Sequence, residues 1–228
     1  MCLPDESLFF YFIYPAEACK MPSTQMIKPK ILFILATFLF LSACADKQPG
    51  LTALSDTAVI LAFGNSITAG NGAPPTQNYP SQLAEKLQRT VINAGVPGEV
   101  SANGLKRLPA LLDKHRPELL LLCHGGNDMI RKLGKDKLAM NLRAMIQEAI
   151  NRDISVVLIG VPKPGIFLDS LDIYSQIAGE YNLPIESEVV PTVLSDNALK
   201  SDLIHPNARG YAMMADAIYL LLQKNGAI

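Results

Sequence analysis

Three largely apolar runs limit what this chain can fold into. They are residues 58–63 (AVILAF), residues 118–123 with four consecutive leucines, and residues 154–160. Runs this short and this continuous describe strands covered on both faces, which is the situation of a parallel sheet. Val91-Ile92 reads as a shorter strand, and Leu183-Pro184-Ile185 begins another. Between the strands the apolar spacing turns helical. Residues 80–89 carry Leu83, Ala84 and Leu87, and residues 102–115 carry Leu105, Leu108, Leu111 and Leu112 before Pro117 stops them. Residues 136–152, 171–181 and 207–222 give three more helices. Strands separated by single helices predict an α/β fold of three layers, α/β/α, around a five-stranded parallel sheet. There are no internal repeats and no low-complexity tract.

Polar loops follow the strands, and open α/β sheets bind ligands at the carboxyl ends of their strands. Gly64-Asn65-Ser66-Ile67 leaves the first run, Gly125-Gly126-Asn127-Asp128 leaves the third, and Asp202-Leu203-Ile204-His205 precedes the last helix. A serine hydroxyl is a weak nucleophile and needs an adjacent base. Of the three histidines, His115 sits in a basic helix end and reads as solvated, whereas His205 lies three residues after an aspartate on one turn. That spacing lets Asp202 bond the imidazole and fix its tautomer, although Asp202 also has the simpler reading of capping its turn. An oxyanion hole needs preorganised donors. Ser66 N–H, the backbone of Gly98 and the side-chain amide of Asn127 are the candidates, while Gly95, Gly98 and Gly104 each also have an ordinary use in turns. His124 follows the third strand and either lines the substrate pocket or, the preferred reading, bonds a nearby loop.

The four cysteines exclude a disulfide framework, since only Cys123 falls within the domain, where it reads as a small buried hydrophobe. The formal net charge of −1 gives no basic face for nucleic acid. Nothing in the sequence calls for a metal or a cofactor. The first residues are set apart. Lys28 and Lys30 precede the apolar stretch 31–41, too short to span a bilayer comfortably, and Leu41-Ser42-Ala43-Cys44 follows. Small residues and then a cysteine resemble the bacterial lipobox. That resemblance implies a signal peptide over residues 26–43, acylation of Cys44, and residence on the periplasmic face of a bacterial envelope membrane. Ala45 in place of a retaining Asp leans toward the outer membrane. Residues 1–25 then read as an over-called start with Met26 as initiator, residues 44–56 as a tether and residues 57–228 as the domain.

The ordered set of loop residues is similar to the SGNH hydrolase superfamily, the "GDSL" lipases and esterases, and within it to the thioesterase I, arylesterase and lysophospholipase branch. The resemblance is carried by Phe63-Gly64-Asn65-Ser66-Ile67-Thr68-Ala69-Gly70, Asn93-Ala94-Gly95-Val96-Pro97-Gly98, Gly125-Gly126-Asn127-Asp128 and Asp202 to His205. It implies a flavodoxin-like fold, with Ser66 as nucleophile, Asp202 and His205 completing a triad, and Ser66, Gly98 and Asn127 forming the oxyanion hole. A monomer acting on small-molecule or lipid esters is expected: fatty-acyl or aryl esters, acyl thioesters or lysophospholipids. Two alternatives stand beside it: an O-acetylesterase acting on envelope glycan, and a weakly active lipoprotein that binds lipid or partners. Gly-x-Ser-x-Thr, not Gly-x-Ser-x-Gly, speaks against an α/β-hydrolase elbow. Asn65 departs from the family's usual Asp and, with His124, is carried as a candidate pocket residue.

Overall fold

The structure, a computed structural model, describes residues 50–162 and 170–228. The expectations for residues 1–49, including the leader and Cys44, lie outside the described residues. One parallel sheet organises the domain. Its strands are β1 (Val59–Gly64), β2 (Thr90–Gly95), β3 (Leu119–Cys123), β4 (Ser155–Ile159) and β5 (Ile185–Glu186), in the order β2-β1-β3-β4-β5. The chain steps from β1 to one side and then crosses back to build the other, so β1 and β3 flank the switch point where crevices open.

Two helical layers cover the sheet. On one face α2 (Tyr79–Leu87) packs against the last helix, α8 (Ala208–Lys224), which also holds α7 (Val189–Ser195). On the other, α3 (Ser101–His115) packs against α5 (Lys135–Ile150), and α5 against α6 (Asp172–Tyr181). Two more helices among the described residues are short, α1 (Ser66–Ala69) and α4 (Gly126–Ile130). Side chains define the starts of α2 and α8. Asn78 accepts from Ser81 N–H at 2.8 Å to cap α2, and Asn207 accepts from Arg209 and Gly210 N–H to cap α8. The core is the apolar runs themselves: Leu119, Leu120, Leu121 and Leu122 have no exposed surface. Burial pushes the neighbouring Cys123 thiol up to about 12, so it stays protonated and inert.

Elements depart from expectation where tertiary contact overrides local pattern. β2 spans Thr90–Gly95 and not two residues, because it pairs with β1 along its whole length although it is a half-exposed edge strand. α7 was not expected; Val189, Val190 and Val193 favour strand by propensity, and burial against α8 makes them helical. The fold also begins before residue 57. Leu51 N–H donates to Asn225 O and Leu54 N–H to Ala227 O, each at 2.9 Å, and Leu54 is 8% exposed. Ser55 closes this base, donating through N–H and Oγ to the Glu118 carboxylate while its carbonyl accepts from Arg89 Nε.

Leu121 sits on the central strand with no room to relax. Leu121→Ala is expected to lower stability by about 2–5 kcal/mol, read as a lower urea midpoint with unchanged slope.

Candidate functional site

Register brings the site together. Gly64, the last residue of β1, aligns with Gly95 of β2 and Cys123 of β3, so three loops leave the sheet at one level. The first loop turns at Asn65, whose Oδ1 accepts Ile67 N–H at 3.3 Å and starts α1 with Ser66 at its first position. The fourth loop arrives from the far end of the chain. Lys200 and Pro206 pair across it, Ser201 N–H donates to His205 O, and Asn207 Nδ2 donates to Ala198 O and Lys200 O.

This loop brings His205 to Ser66, 139 residues away in sequence, with Nε2 and the Ser66 Oγ 2.9 Å apart. On the other side of the ring Nδ1 lies 2.7 Å from Asp202 Oδ2. With the proton on Nδ1, the ring donates to Asp202 and Nε2 accepts from Ser66. Asp202 uses its second oxygen for the turn, where Oδ1 accepts Ile204 N–H and His205 N–H at 2.8 and 2.9 Å. The carboxylate therefore both shapes the loop and aligns the imidazole, so the two sequence readings of Asp202 coexist. Its partial burial disfavours charge, but the hydrogen bonds from the ring and the backbone outweigh this and hold its carboxyl below the usual range.

The candidate donors lie on the loops after β1, β2 and β3. Gly98 has φ +75°, a conformation glycine adopts freely. Neither its N–H nor that of Ser66 finds an acceptor among the described residues. Asn127, at the start of α4, donates one amide hydrogen to Glu99 O at 3.0 Å, leaving the other for a ligand. Asn65 and His124 do not serve as pocket lining. Asn65 is 3% exposed, held inside as the cap of α1, and His124 has no exposed surface. His124 Nε2 lies 3.2 Å from Glu99 Oε2 in the loop after β2, and Nδ1 has no partner among the described residues.

Sequence reasoning did not find Glu99, Arg107 or Arg131. Arg107 Nε donates to both Glu99 oxygens and Nη2 to Gly64 O and Ala94 O, while Arg131 Nη2 donates to Gly98 O. A lone arginine between the stripe leucines Leu105 and Leu108 was the available signal. Among the described residues no group of three or more His, Cys, Asp or Glu is placed to hold a metal ion.

Residues 62–213 match the GDSL-like Lipase/Acylhydrolase family. The chain is 31% identical over 179 residues to Thioesterase 1/protease 1/lysophospholipase L1 of Escherichia coli, covering 75% of this chain and 85% of that protein. It is 30% identical over 167 residues to Esterase TesA of Pseudomonas aeruginosa, covering 68% and 83%. Among solved structures, that of TesA superposes with a TM-score of 0.65 at 27% identity, over 73% of this chain and 99% of that one.

Two outcomes follow. Burial lowers the proton affinity of His124 against the opposing pull of Glu99. The unfolded chain then binds a proton that the folded chain resists, so stability is full above the ordinary histidine range and falls with acidification. The urea midpoint should drop between about pH 8 and about pH 5, and less steeply in His124→Gln. For Asn65→Asp, a carboxylate oxygen replaces the amide oxygen at Ile67 N–H, and ester hydrolysis should change by less than about tenfold, or ~1.4 kcal/mol of barrier. A hundredfold rise in kcat would show that charge, and not the cap, is what this position contributes.

Proposed function

The chain belongs to the GDSL-like lipase/acylhydrolase family and is a serine esterase, and on that premise we propose that Ser66, His205 and Asp202 carry the reaction on fatty-acyl or aryl esters, acyl thioesters and lysophospholipids. One observation carries the residue assignment: the continuous line Ser66 Oγ, His205 Nε2, His205 Nδ1, Asp202 Oδ2, at 2.9 and 2.7 Å. As Ser66 Oγ attacks the acyl carbonyl, its proton passes to Nε2, and the imidazolium is balanced by Asp202. The carbonyl oxygen becomes an oxyanion held by Ser66 N–H, Gly98 N–H and the free hydrogen of Asn127. His205 returns the proton to the departing alcohol or thiol, leaving an acyl-Ser66 ester. Water, deprotonated by the same nitrogen, then releases the acid.

The substrate range rests on the relatives, one of which is named a thioesterase and lysophospholipase and another an esterase. Cys44 is proposed as the acylated first residue of an envelope lipoprotein, on the pattern Leu41-Ser42-Ala43-Cys44 after an apolar stretch. The protein is proposed to act as a monomer.

Ser66→Ala should reduce hydrolysis of p-nitrophenyl butyrate at least about a thousandfold with an unchanged melting temperature. Retention of more than about a tenth of the activity contradicts the nucleophile assignment. A profile across acetate, butyrate, octanoate and palmitate esters fixes the acyl preference; activity confined to acetate would instead favour a deacetylase. The full-length protein expressed in a Gram-negative host should enter the detergent phase on Triton X-114 separation, and Cys44→Ala should move it to the aqueous phase. A mature N-terminus upstream of Cys44 without acyl mass contradicts the anchor.

A further inference from the structure

The cluster of Glu99, Arg107 and His124 lies behind the candidate oxyanion donors and takes no part in the proton path described above. Glu99 directly follows Gly98, and its side chain is 7% exposed. Arg107 Nε reaches its two oxygens at 2.8 and 3.0 Å and Nη2 reaches Oε2 at 2.6 Å. The same Nη2 lies 3.2 Å from Gly64 O and 2.8 Å from Ala94 O, and the guanidinium sits 4.1 Å over the Phe63 ring. One cation thus joins the end of the strand that carries Ser66 to the loop that carries Gly98. His124 adds the third strand end, its Nε2 at 3.2 Å from Glu99 Oε2. Space for that ring is left by Gly104 in α3: a Cβ there would stand 2.6 Å from Nε2 and 3.0 Å from Cδ2.

We propose that Glu99 is a positioning residue for the oxyanion hole: its carboxylate, held by Arg107 and His124, fixes the peptide whose N-terminal neighbour is Gly98 and whose carbonyl orients Asn127. The backbone supports this at three further points. Glu99 O accepts from Asn127 Nδ2 at 3.0 Å, Asp128 accepts from Ser101 N–H and Oγ at 2.9 and 2.5 Å, and Arg131 Nη2 donates to Gly98 O at 2.9 Å. The loop after β2 and the helix after β3 are therefore one laced unit with Glu99 at its centre. Burying an ion pair costs desolvation that stability alone rarely recovers. Here the pair's geometry does something an apolar pair of equal volume does not, because its donors and acceptors are directional and converge on three strand ends. Donors aimed at a developing charge act only when their direction is fixed beforehand.

This proposal rests on the reading of Asn127 as an oxyanion donor, and a double-mutant cycle separates the two. The variants are Glu99→Ala, Glu99→Gln, Asn127→Ala and the combinations, assayed with p-nitrophenyl butyrate for kcat and KM separately and with phenylboronic acid as a mimic of the tetrahedral state. Asn127→Ala is expected to lower kcat about 100-fold or more. Glu99→Ala should lower kcat about 30-fold with KM within about threefold, and should weaken boronate inhibition by a similar factor, since it misaligns donors without deleting one. Glu99→Gln, which keeps volume and one acceptor, should recover part of that loss and carries the same comparison if the alanine variant fails to fold. In the Asn127→Ala background the Glu99 substitutions should cost several-fold less than in the parent, because the part of the loss that passes through Asn127 is already gone while the part that passes through Gly98 remains. The proposal is overturned if folded Glu99 variants keep kcat within about threefold of the parent, or if their full loss persists without Asn127. If instead Asn127→Ala itself costs nothing, it is the oxyanion reading that fails.

Discussion

The hydrogen-bonded register of β1 with both of its neighbours underlies the whole arrangement. Gly64 pairs with Gly95 on one side and with Cys123 on the other. A parallel sheet twists and its strands differ in length, so three strand ends at one level are not automatic. Here they are, and each leads into a loop with a distinct chemical part: a hydroxyl, a backbone N–H at positive φ and an amide. The fourth part comes from a loop 139 residues from Ser66, pinned by α8. A slip of one residue in β1 would exchange the side chains packed against its two helical layers and carry Ser66 away from His205 at the same time.

Charge is handled in two ways around this level. Asp202 stays more than half exposed and is kept anionic by hydrogen bonds, so water shares the cost of its charge. Glu99 is almost fully enclosed. Burial alone would raise its carboxyl, yet the bonds from Arg107 and His124 bring it below the ordinary range. The first carboxylate faces a ring whose charge comes and goes; the second faces groups that must not move. His124 beside it stays neutral, because its burial outweighs the pull of Glu99. The enclosed cluster is thus a carboxylate and a guanidinium of equal and opposite charge, with no net repulsion toward an oxyanion forming in front of it.

Sequence made the central strands legible because β1, β3 and β4 are covered on both faces and their runs are almost wholly apolar. It also made Ser66, Asn127, Asp202 and His205 legible, since each lies in a short local pattern. What it did not show is pairing at a distance. Glu99 and Arg107 are eight positions apart, one in a loop and one in a helix, a separation with no period to betray it. Val189 and Val193 declare strand propensity and fold as helix because α8 covers them. Residues 51–55 are short on pattern altogether; their order comes from meeting residues 225–227 and Glu118, partners that no window of sequence contains.

That last meeting has a consequence for how the molecule is handled. Strand β1 runs from Val59 toward Ser66, and α8 runs from beside His205 back to Lys224, so Leu51 and Asn225 meet at the pole opposite the crevice. Both ends of the domain leave from one small patch there, sealed by Ser55, Arg89 and Glu118. A surface, a tag or a second domain joined to the domain beside residue 51 or residue 228 holds it by its base, away from the crevice. Because the ends adjoin, a short linker between residues 228 and 51 closes the chain into a ring. New termini can then be cut into an outer loop with the crevice intact.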